Sequence, residues 1–145
     1  MIPLDSARYG ADHSIDMAKV RAYRLNRIRE QLRAHDYAGC VLADPLNIRY
    51  ATDSTNMQLW ITHNPARACF VSADGYIVLF DFHSCEHLSD HLPLVRERRH
   101  GASFFYFESG HRSSEHADLF AAQIDELMSD DGTNGDEKSQ PPKPD

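Results

Sequence analysis

The chain has 145 residues, the size of one ordinary domain, and 41% of them are hydrophobic, which argues for a buried core and against disorder throughout. Acidic residues outnumber basic ones 22 to 15 and give a net charge of −7, whereas nucleic-acid binders usually carry clustered Lys and Arg. No stretch approaches the ~20 consecutive apolar residues of a membrane span. We therefore expect neither a nucleic-acid nor a membrane partner.

The first predicted element is a long helix that follows an irregular lead-in over residues 1–14. Ser14 or Asp16 can cap its N-terminus, and apolar residues at roughly helical spacing continue to about Ala34. These apolar residues are Met17, Val20, Leu25, Ile28 and Leu32. The arginines on the other faces are typical of a solvated helix surface, although their clustering is also compatible with an anion site.

A short buried strand and a short helix are predicted next. Residues 40–43 form an apolar run typical of a buried strand. Asp44 and Pro45 end the strand, and Pro45 suits the first turn of a helix over residues 46–51. After a polar loop, weak alternation predicts a strand over residues 57–62, which ends in the turn signal His-Asn-Pro.

A β-hairpin is the clearest local prediction. Two apolar runs, residues 68–72 and 76–82, flank the dipeptide Asp74-Gly75. Asp-Gly between two such runs favours a tight hairpin, because Gly adopts positive φ at little cost.

Three further elements complete the prediction. They are a short helix capped by Ser84 and ended by Pro93, a strand over residues 103–107, and a final helix over residues 115–128 opened by Ser113 or its neighbour. Helices interspersed with strands, together with an antiparallel hairpin, predict an α/β fold: a mixed β-sheet covered by helices.

The last seventeen residues differ from the rest of the chain. Residues 129–145 contain no aromatic or aliphatic residue, and they carry five acidic and two basic ones. Such a segment cannot bury enough apolar surface to offset the entropy lost on ordering. We expect a disordered acidic, Pro-rich tail after a domain that covers residues 15–128.

Nine histidines are many for this length. His83, His87 and His91 are four residues apart, so on a helix they would share one face, and Cys85 and Glu86 lie among them. This spacing is compatible with a zinc or other transition-metal site. The alternative is a set of exposed polar residues, and we expect it because a zinc site usually also needs ligands from other elements.

No catalytic motif is recognisable in the chain. A nucleophile elbow, a metalloprotease helix, a P-loop and a dinucleotide-binding glycine motif are all missing. We expect no catalytic and no metal-binding residue in this chain.

One loop-like segment, residues 52–67, stands out because it holds the only tryptophan. Trp60 offers a flat surface for an apolar group or a cation, and Arg67 can grip a carboxylate with its two-pronged guanidinium group. Loops on a rigid scaffold often carry binding residues. The alternative is that Trp60 belongs to the core and Arg67 is a surface residue at the start of a strand.

The cysteines indicate a reducing compartment. There are three, an odd number, and no two form a CxxC pair, so free thiols in the cytoplasm are expected. Cys40 and Cys69 lie inside predicted apolar strands and are interpreted as small core residues. The N-terminus lacks the charged segment and long apolar core of a secretory signal.

Residues 39–52, Gly-Cys-Val-Leu-Ala-Asp-Pro-Leu-Asn-Ile-Arg-Tyr-Ala-Thr, resemble the strand and P-x-N-I-R-Y-x-T-G segment of the creatinase/prolidase N-terminal domain. The long first helix and the hairpin fall where that family has them. The longer pattern through Asn56, His63 and Arg67 is similar to a branch that includes dimethylsulfoniopropionate lyases and ectoine-hydrolase-like or Xaa-Pro-peptidase-like members. The resemblance covers about residues 15–128.

The resemblance implies a division of labour between two domains. It implies an N-terminal mixed sheet with a ribonuclease H-like motif, which mediates assembly and overhangs the active site of the partner subunit. A divalent metal pair (Mn, Co, Fe or Zn) would belong to a C-terminal pita-bread domain, and none of its ligands can be assigned in this chain. Asn56, Trp60, His63 and Arg67 would contact a small zwitterionic substrate across the dimer interface.

Two departures from the family pattern matter. The usual Gly after the Y-x-T pattern is Asp53 here, and because Asp tolerates the left-handed backbone better than most residues, we expect the turn to survive. After Met128 the polar tail stands where the family continues into further elements.

The main expectation is therefore a non-catalytic N-terminal domain of a metal-dependent hydrolase or lyase, which forms a homodimer and shapes the partner's active-site entrance. One alternative is a part of an Xaa-Pro-peptidase-like hydrolase or lyase whose metal-binding domain is not in this chain. Another is a stand-alone domain that binds a small ligand or a metal.

Overall fold

A computed structural model describes residues 15–55, 67–74, 76–81, 84–101 and 109–129. In chain order the helices and strands are α1 (Met17–Ala34), β1 (Gly39–Leu42), α2 (Pro45–Thr52), β2 (Ala68–Ser72), β3 (Ile77–Asp81), β4 (Val95–His100) and α3 (Ser113–Ser129). The strands predicted over residues 57–62 and 103–107, the lead-in and the tail beyond residue 129 lie outside the described residues.

The strands form one mixed sheet in the order β1-β2-β3-β4. β1 pairs with β2 and β2 with β3 in antiparallel fashion, which confirms the predicted hairpin. β3 pairs with β4 in parallel, with an irregularity between Ile77 and Val78. The α/β fold class with a mixed sheet is therefore confirmed.

Alternating side chains of β2 and β3 point to opposite faces of the sheet and create two apolar clusters. On one face, Cys69 and Leu79 pack with residues of α1 and α2, Leu25 and Ile48 among them. On the other face, cluster members from both strands pack with α3; they are Ala68, Phe70, Val78, Phe80, Phe120, Ile124 and Leu127. The sheet is thus covered by helices on both faces, which explains why β3 is buried along its whole length.

The first two helices begin at aspartate caps. Asp16 Oδ1 accepts from the backbone N–H groups of Ala18 and Lys19 at 3.1 and 3.2 Å. Asp44 Oδ1 does the same for Leu46 and the next residue, both at 2.9 Å. Each cap satisfies N–H groups that have no partner inside the helix. The predicted boundaries of α1 and α2 are therefore confirmed, with Asp16 as the first cap.

The short helix predicted from Ser84 to Leu92 is present only in part, and its predicted cap is wrong. Only Glu86–Ser89 is helical, and it is a 3₁₀ helix without a side-chain cap, while Ser84 has a φ of 63°. Ser89 is buried, and its hydroxyl donates to Asp81 Oδ2 at 3.2 Å. The contact between Ser89 and Asp81 holds residues 86–89 in a tight 3₁₀ turn, where the local pattern predicted a longer helix.

β4 was not predicted from the sequence. Its sequence, Val-Arg-Glu-Arg-Arg-His, is polar and shows no alternation. The strand forms because β3 offers a parallel pairing edge and because the arginines find partners of their own. Arg98 Nη2 donates to the Ser89 carbonyl at 2.6 Å, and Arg99 binds Glu97 and Glu126. Tertiary context has overridden strand propensity.

Among the described residues, no helix has both the length and the apolar character needed to cross a membrane.

Candidate functional site

Arg67 is a buried residue immediately before β2, and its side chain binds the last residue of β3. Its Nε donates to Asp81 Oδ1 and its Nη2 to Asp81 Oδ2, each at 2.9 Å. The two side chains are 1% and 0% exposed. Arg67 was predicted to contact a substrate with its two-pronged guanidinium group. In the structure that group binds Asp81 of the same chain, and the substrate contact stays a prediction.

The hairpin register brings the two groups together. Ala68 is paired with Phe80 in the hairpin register. Arg67, which precedes Ala68, therefore lies opposite Asp81, which follows Phe80. Because Ala68 and Phe80 point to the α3 face, Arg67 and Asp81 point to the face covered by α1 and α2. Asp81 was not among the predicted site residues, since only the register identifies it.

Two hydroxyl groups extend this ion pair to neighbouring elements. Arg67 Nη2 also donates to Ser54 Oγ at 2.7 Å, and Ser89 donates to Asp81 from the 3₁₀ helix. The Ser54 backbone N–H in turn donates to Thr52 Oγ1 at 3.0 Å, at the end of α2. The arrangement therefore connects α2, both hairpin strands and the 3₁₀ helix; we call Arg67, Asp81, Ser54 and Ser89 the buried clamp.

The clamp holds both ends of the segment that carries the predicted contact residues. Ser54 lies before this segment and Arg67 directly after it, and one hydrogen bond joins them. Asn56, Trp60 and His63 lie outside the described residues, so their predicted contacts with a substrate stay predictions. Arg67 starts a strand, as the alternative interpretation had it, but it is buried and not at the surface.

The turn at Asp53 survives the departure from the family's usual glycine. Asp53 ends α2 with φ 68° and ψ 11°, a left-handed conformation, and its N–H donates to the Arg49 carbonyl. Its carboxylate also binds α1, through Arg21 at 2.9 Å and Arg24 at 3.6 Å. Asp53 thus ends one helix and joins it to another, and the expectation that the turn survives is confirmed.

The histidines of the predicted metal site are only partly described. His87 lies in the 3₁₀ helix and His91 just beyond its end, and both are exposed, while His83 lies outside the described residues. Over the described ranges, no group of three or more His, Cys, Asp or Glu side chains could hold a metal. Metal binding at His83, His87 and His91 stays a hypothesis.

Cys69 belongs to the apolar core, and the half-buried Cys40 packs against it. All three are free thiols. Burial raises the pKa of the Cys69 thiol to about 12 and also raises the pKa of Cys40. A thiol held in its protonated form is a poor nucleophile, which agrees with the interpretation of Cys40 and Cys69 as small core residues.

An open, largely apolar groove of about 470 Å³ lies between α1, β1 and α2. This groove could not be predicted from the sequence, because its walls come from three elements whose packing no local pattern reveals.

Two curated proteins are similar to most of the chain. It is 50% identical over 115 residues to the dimethylsulfoniopropionate lyase DddP of Roseobacter denitrificans. It is 48% identical over 117 residues to the lyase of the same name from Roseovarius nubinhibens. The chain and these lyases are homologous. The matched stretches cover 79% and 81% of this chain but 26% of each lyase.

The chain therefore spans about a quarter of the length of the lyases that it matches. No family model matches the chain. The predicted resemblance to a group that includes dimethylsulfoniopropionate lyases is confirmed at this level of homology, and the assignment to an N-terminal domain stays a prediction.

Proposed function

We propose that the chain is a non-catalytic domain of a metal-dependent lyase or hydrolase of the creatinase/prolidase type, which assembles subunits and shapes a neighbour's active-site entrance. The observation that carries the proposal is the 50% identity to a dimethylsulfoniopropionate lyase over 79% of the chain, within only 26% of that lyase. Dimethylsulfoniopropionate or a similar small zwitterion is the substrate class proposed for the complete enzyme.

The buried clamp supports a role in substrate contact for residues 55–66. A segment that contacts a substrate needs a rigid frame, because binding groups that are poorly held lose affinity and specificity. Ser54 and Arg67 provide such a frame at its two ends. In this proposal Asn56, Trp60 and His63 contact the substrate, and the burial of Arg67 favours a positioning role for that residue.

The first test is turnover by the chain alone. We expect the purified 145-residue protein to cleave neither dimethylsulfoniopropionate nor dipeptides ending in proline, with Mn, Co, Fe(II) or Zn added. The Roseobacter lyase, assayed in parallel, is the positive control for dimethylsulfoniopropionate. Metal-dependent turnover by the chain would refute the non-catalytic role.

The second test places the chain in a complete enzyme. The matched stretch of the Roseobacter lyase is replaced by this chain's 115-residue counterpart, and we expect the chimera to cleave dimethylsulfoniopropionate. In that chimera Trp60→Ala should lower kcat/KM at least tenfold without changing the melting temperature. Lys19→Ala, at a side chain that is 86% exposed, is the matched control. If the chimera is active and Trp60→Ala leaves its kcat/KM unchanged, the proposed contact between Trp60 and the substrate is wrong.

The assembly role is tested by measuring the molar mass of the protein in solution. A sheet edge that is not paired within one chain is a template for another chain, and β1 pairs only with β2 among the described strands. We expect light scattering to give twice the 16.5 kDa of one chain. A monomer at all concentrations up to ~100 µM would contradict self-association by this chain.

A further inference from the structure

The strand β1 is an edge of the described sheet that carries no charge. Among the described strands it pairs with β2 alone, and its sequence is Gly-Cys-Val-Leu. Proteins usually protect an edge from other chains with a charged side chain, a proline or a bulge. β1 has none of these, whereas five of the six residues of β4, at the opposite edge, are charged or histidine. Of these two edges, β1 is therefore the one suited to pair with a further strand.

Alternate backbone groups of β1 point away from β2. The Ala73 N–H donates to the Ala38 carbonyl at 2.8 Å, and this pair continues the register of β1 with β2. Hydrogen-bonded and non-hydrogen-bonded positions alternate along an antiparallel pair, so the even-numbered residues of β1 bond to β2. The N–H and C=O groups of Gly39 and Val41 consequently point to the open edge.

Exposed apolar side chains surround this edge. Val41 is 43% exposed, and Tyr37, Leu46 and Tyr50, on the segments directly before and after β1, are 62%, 68% and 41% exposed. Tyr37 and Tyr50 also line the groove between α1, β1 and α2, together with Cys40 of β1. Grouped apolar side chains at a surface mark a contact site for another molecule. A strand added at this edge would therefore cover apolar surface as well as bond to β1.

A second copy of the chain fits this edge symmetrically. When two sheets join edge to edge about a twofold axis perpendicular to them, the edge strands are antiparallel and each face of the sheet continues into the same face of the other copy. Side chains that lie opposite each other must point to the same face, so odd-numbered residues lie opposite odd-numbered ones. With Val41 on the axis, the two Val41 residues exchange N–H···O=C bonds and Gly39 lies opposite Ala43.

This register also suits the face on which the groove lies. It places Leu42 of one copy opposite Cys40 of the other, so a large apolar side chain meets a small one beside the groove. The neighbouring register, centred on Cys40, would place two small thiol side chains opposite each other and cover less of the groove. The register centred on Val41 is therefore the better fit.

We propose that two copies of the chain associate through β1 and form one continuous sheet, with the Val41 residues on the twofold axis. Twofold contacts between identical surfaces are the commonest in homo-oligomers, and main-chain hydrogen bonds at a sheet edge supply affinity. This inference rests on the self-association in the proposed function and specifies the surface that carries it.

The first test is charge at position 41, with the 145-residue chain in analytical ultracentrifugation. Val41→Lys places two like charges opposite each other, which destabilises a strand pair, so the Kd of the dimer should rise at least tenfold. Val41→Glu should do the same. An equimolar mixture of the two variants should recover the parent Kd to within about threefold, because each lysine then faces a glutamate. Such a rescue also excludes misfolding as the cause of dissociation.

Leu88→Lys is the matched control. Leu88 is 45% exposed, close to the value for Val41, and it lies in the 3₁₀ helix that contacts β4, away from β1. We expect this variant to change the Kd of the dimer less than twofold. A larger effect of Leu88→Lys than of Val41→Lys would assign the interface to the β4 side and refute the proposal.

Amide hydrogen exchange, followed by NMR, is a second readout. The Gly39 N–H should be protected in the parent dimer and should exchange at least tenfold faster in Val41→Lys, because only the dimer provides its acceptor. The Cys40 N–H bonds to β2 and should keep its protection in both proteins. Equal protection of Gly39 in the parent and in a monomeric Val41→Lys would show that a segment of the same chain, such as the strand predicted over residues 57–62, covers this edge.

The outcomes separate this inference from the proposed function. A parent dimer whose Kd does not respond to Val41→Lys, or a mixture with Val41→Glu that dissociates as readily as either variant alone, overturns the β1 interface and leaves self-association intact. A parent that stays monomeric at all concentrations up to ~100 µM contradicts self-association and the β1 interface together.

Discussion

At the scale of single residues, the buried clamp shows what a sequence can and cannot reveal. The residue type of Arg67 predicted a two-pronged contact with a substrate carboxylate, whereas in the structure the guanidinium group binds Asp81 of the same chain. Asp81 could not be predicted as the partner, because the chain has 21 other aspartates and glutamates and only the strand register selects one. The left-handed backbone of Asp53 was easier to predict, because the ability to adopt this conformation is a local property of the residue type.

Breaking the clamp should destabilise the protein strongly. We expect Arg67→Met to lower the free energy of unfolding by about 3–5 kcal/mol, because it leaves the buried Asp81 carboxylate without its cation. Arg33→Met is the matched control: its partner Asp74 is 91% exposed, so the loss should stay below about 1 kcal/mol. Urea unfolding followed by circular dichroism measures both.

A double variant tests the cause of that loss. Arg67→Met combined with Asp81→Leu should be less destabilised than the sum of the two single variants, since no charge is then left buried without a partner. Equal losses in Arg67→Met and Arg33→Met would show that the clamp contributes no more than a surface pair.

At the scale of elements, the predictions that succeeded rest on local chemistry. Aspartate caps, a proline in a first helical turn and an Asp-Gly pair between apolar runs specify α1, α2 and the hairpin within a few residues each. The predictions that failed depend on distant partners. β4 needs β3 as its pairing edge, and the Glu86–Ser89 turn needs the contact between Ser89 and Asp81.

Gly39 illustrates how tightly two elements meet. A Cβ atom at this position would lie 2.7 Å from an atom of the Phe70 ring and 2.9 Å from the Val71 carbonyl oxygen. Gly39→Ala should therefore lower the free energy of unfolding by about 1–3 kcal/mol through overpacking between β1 and β2.

A second glycine is a control with a different cause. Gly110 has φ 55° and open space around it, so Gly110→Ala strains only the backbone, and Gly110→Asn should recover part of that loss. If Gly39→Ala leaves the melting temperature unchanged while Gly110→Ala lowers it, the close contact with Phe70 does not make an added Cβ at position 39 destabilising.

At the scale of the whole molecule, stability should fall in alkali because of one thiol in the centre of the sheet. Cys69 is fully buried, and burial raises its pKa from about 9 to about 12. The folded state keeps the thiol proton at a pH where the unfolded chain has lost it. Ionisation therefore favours unfolding, and the contribution present below pH 9 is lost as the pH rises toward 12.

The expected slope is up to about 1.4 kcal/mol per pH unit for this one group. Urea unfolding of the parent and of Cys69→Ala, at intervals from pH 8 to pH 11, isolates the contribution, because the other alkaline titrations are common to both proteins. The stability difference between the two should shrink as the pH rises above 9. A difference that is independent of pH would show that the thiol does not control alkaline unfolding.

The hydrogen bond between Arg67 and Ser54 has a consequence for how the fold tolerates insertions. Ser54, which precedes residues 55–66, and Arg67, which follows them, are joined by one hydrogen bond between their side chains. Lengthening a loop whose ends are held together costs little extra conformational entropy, about 0.6 kcal/mol for each doubling of the loop length. Residues inserted between Ser54 and Arg67 should therefore cost the fold little stability, as long as the buried clamp is kept.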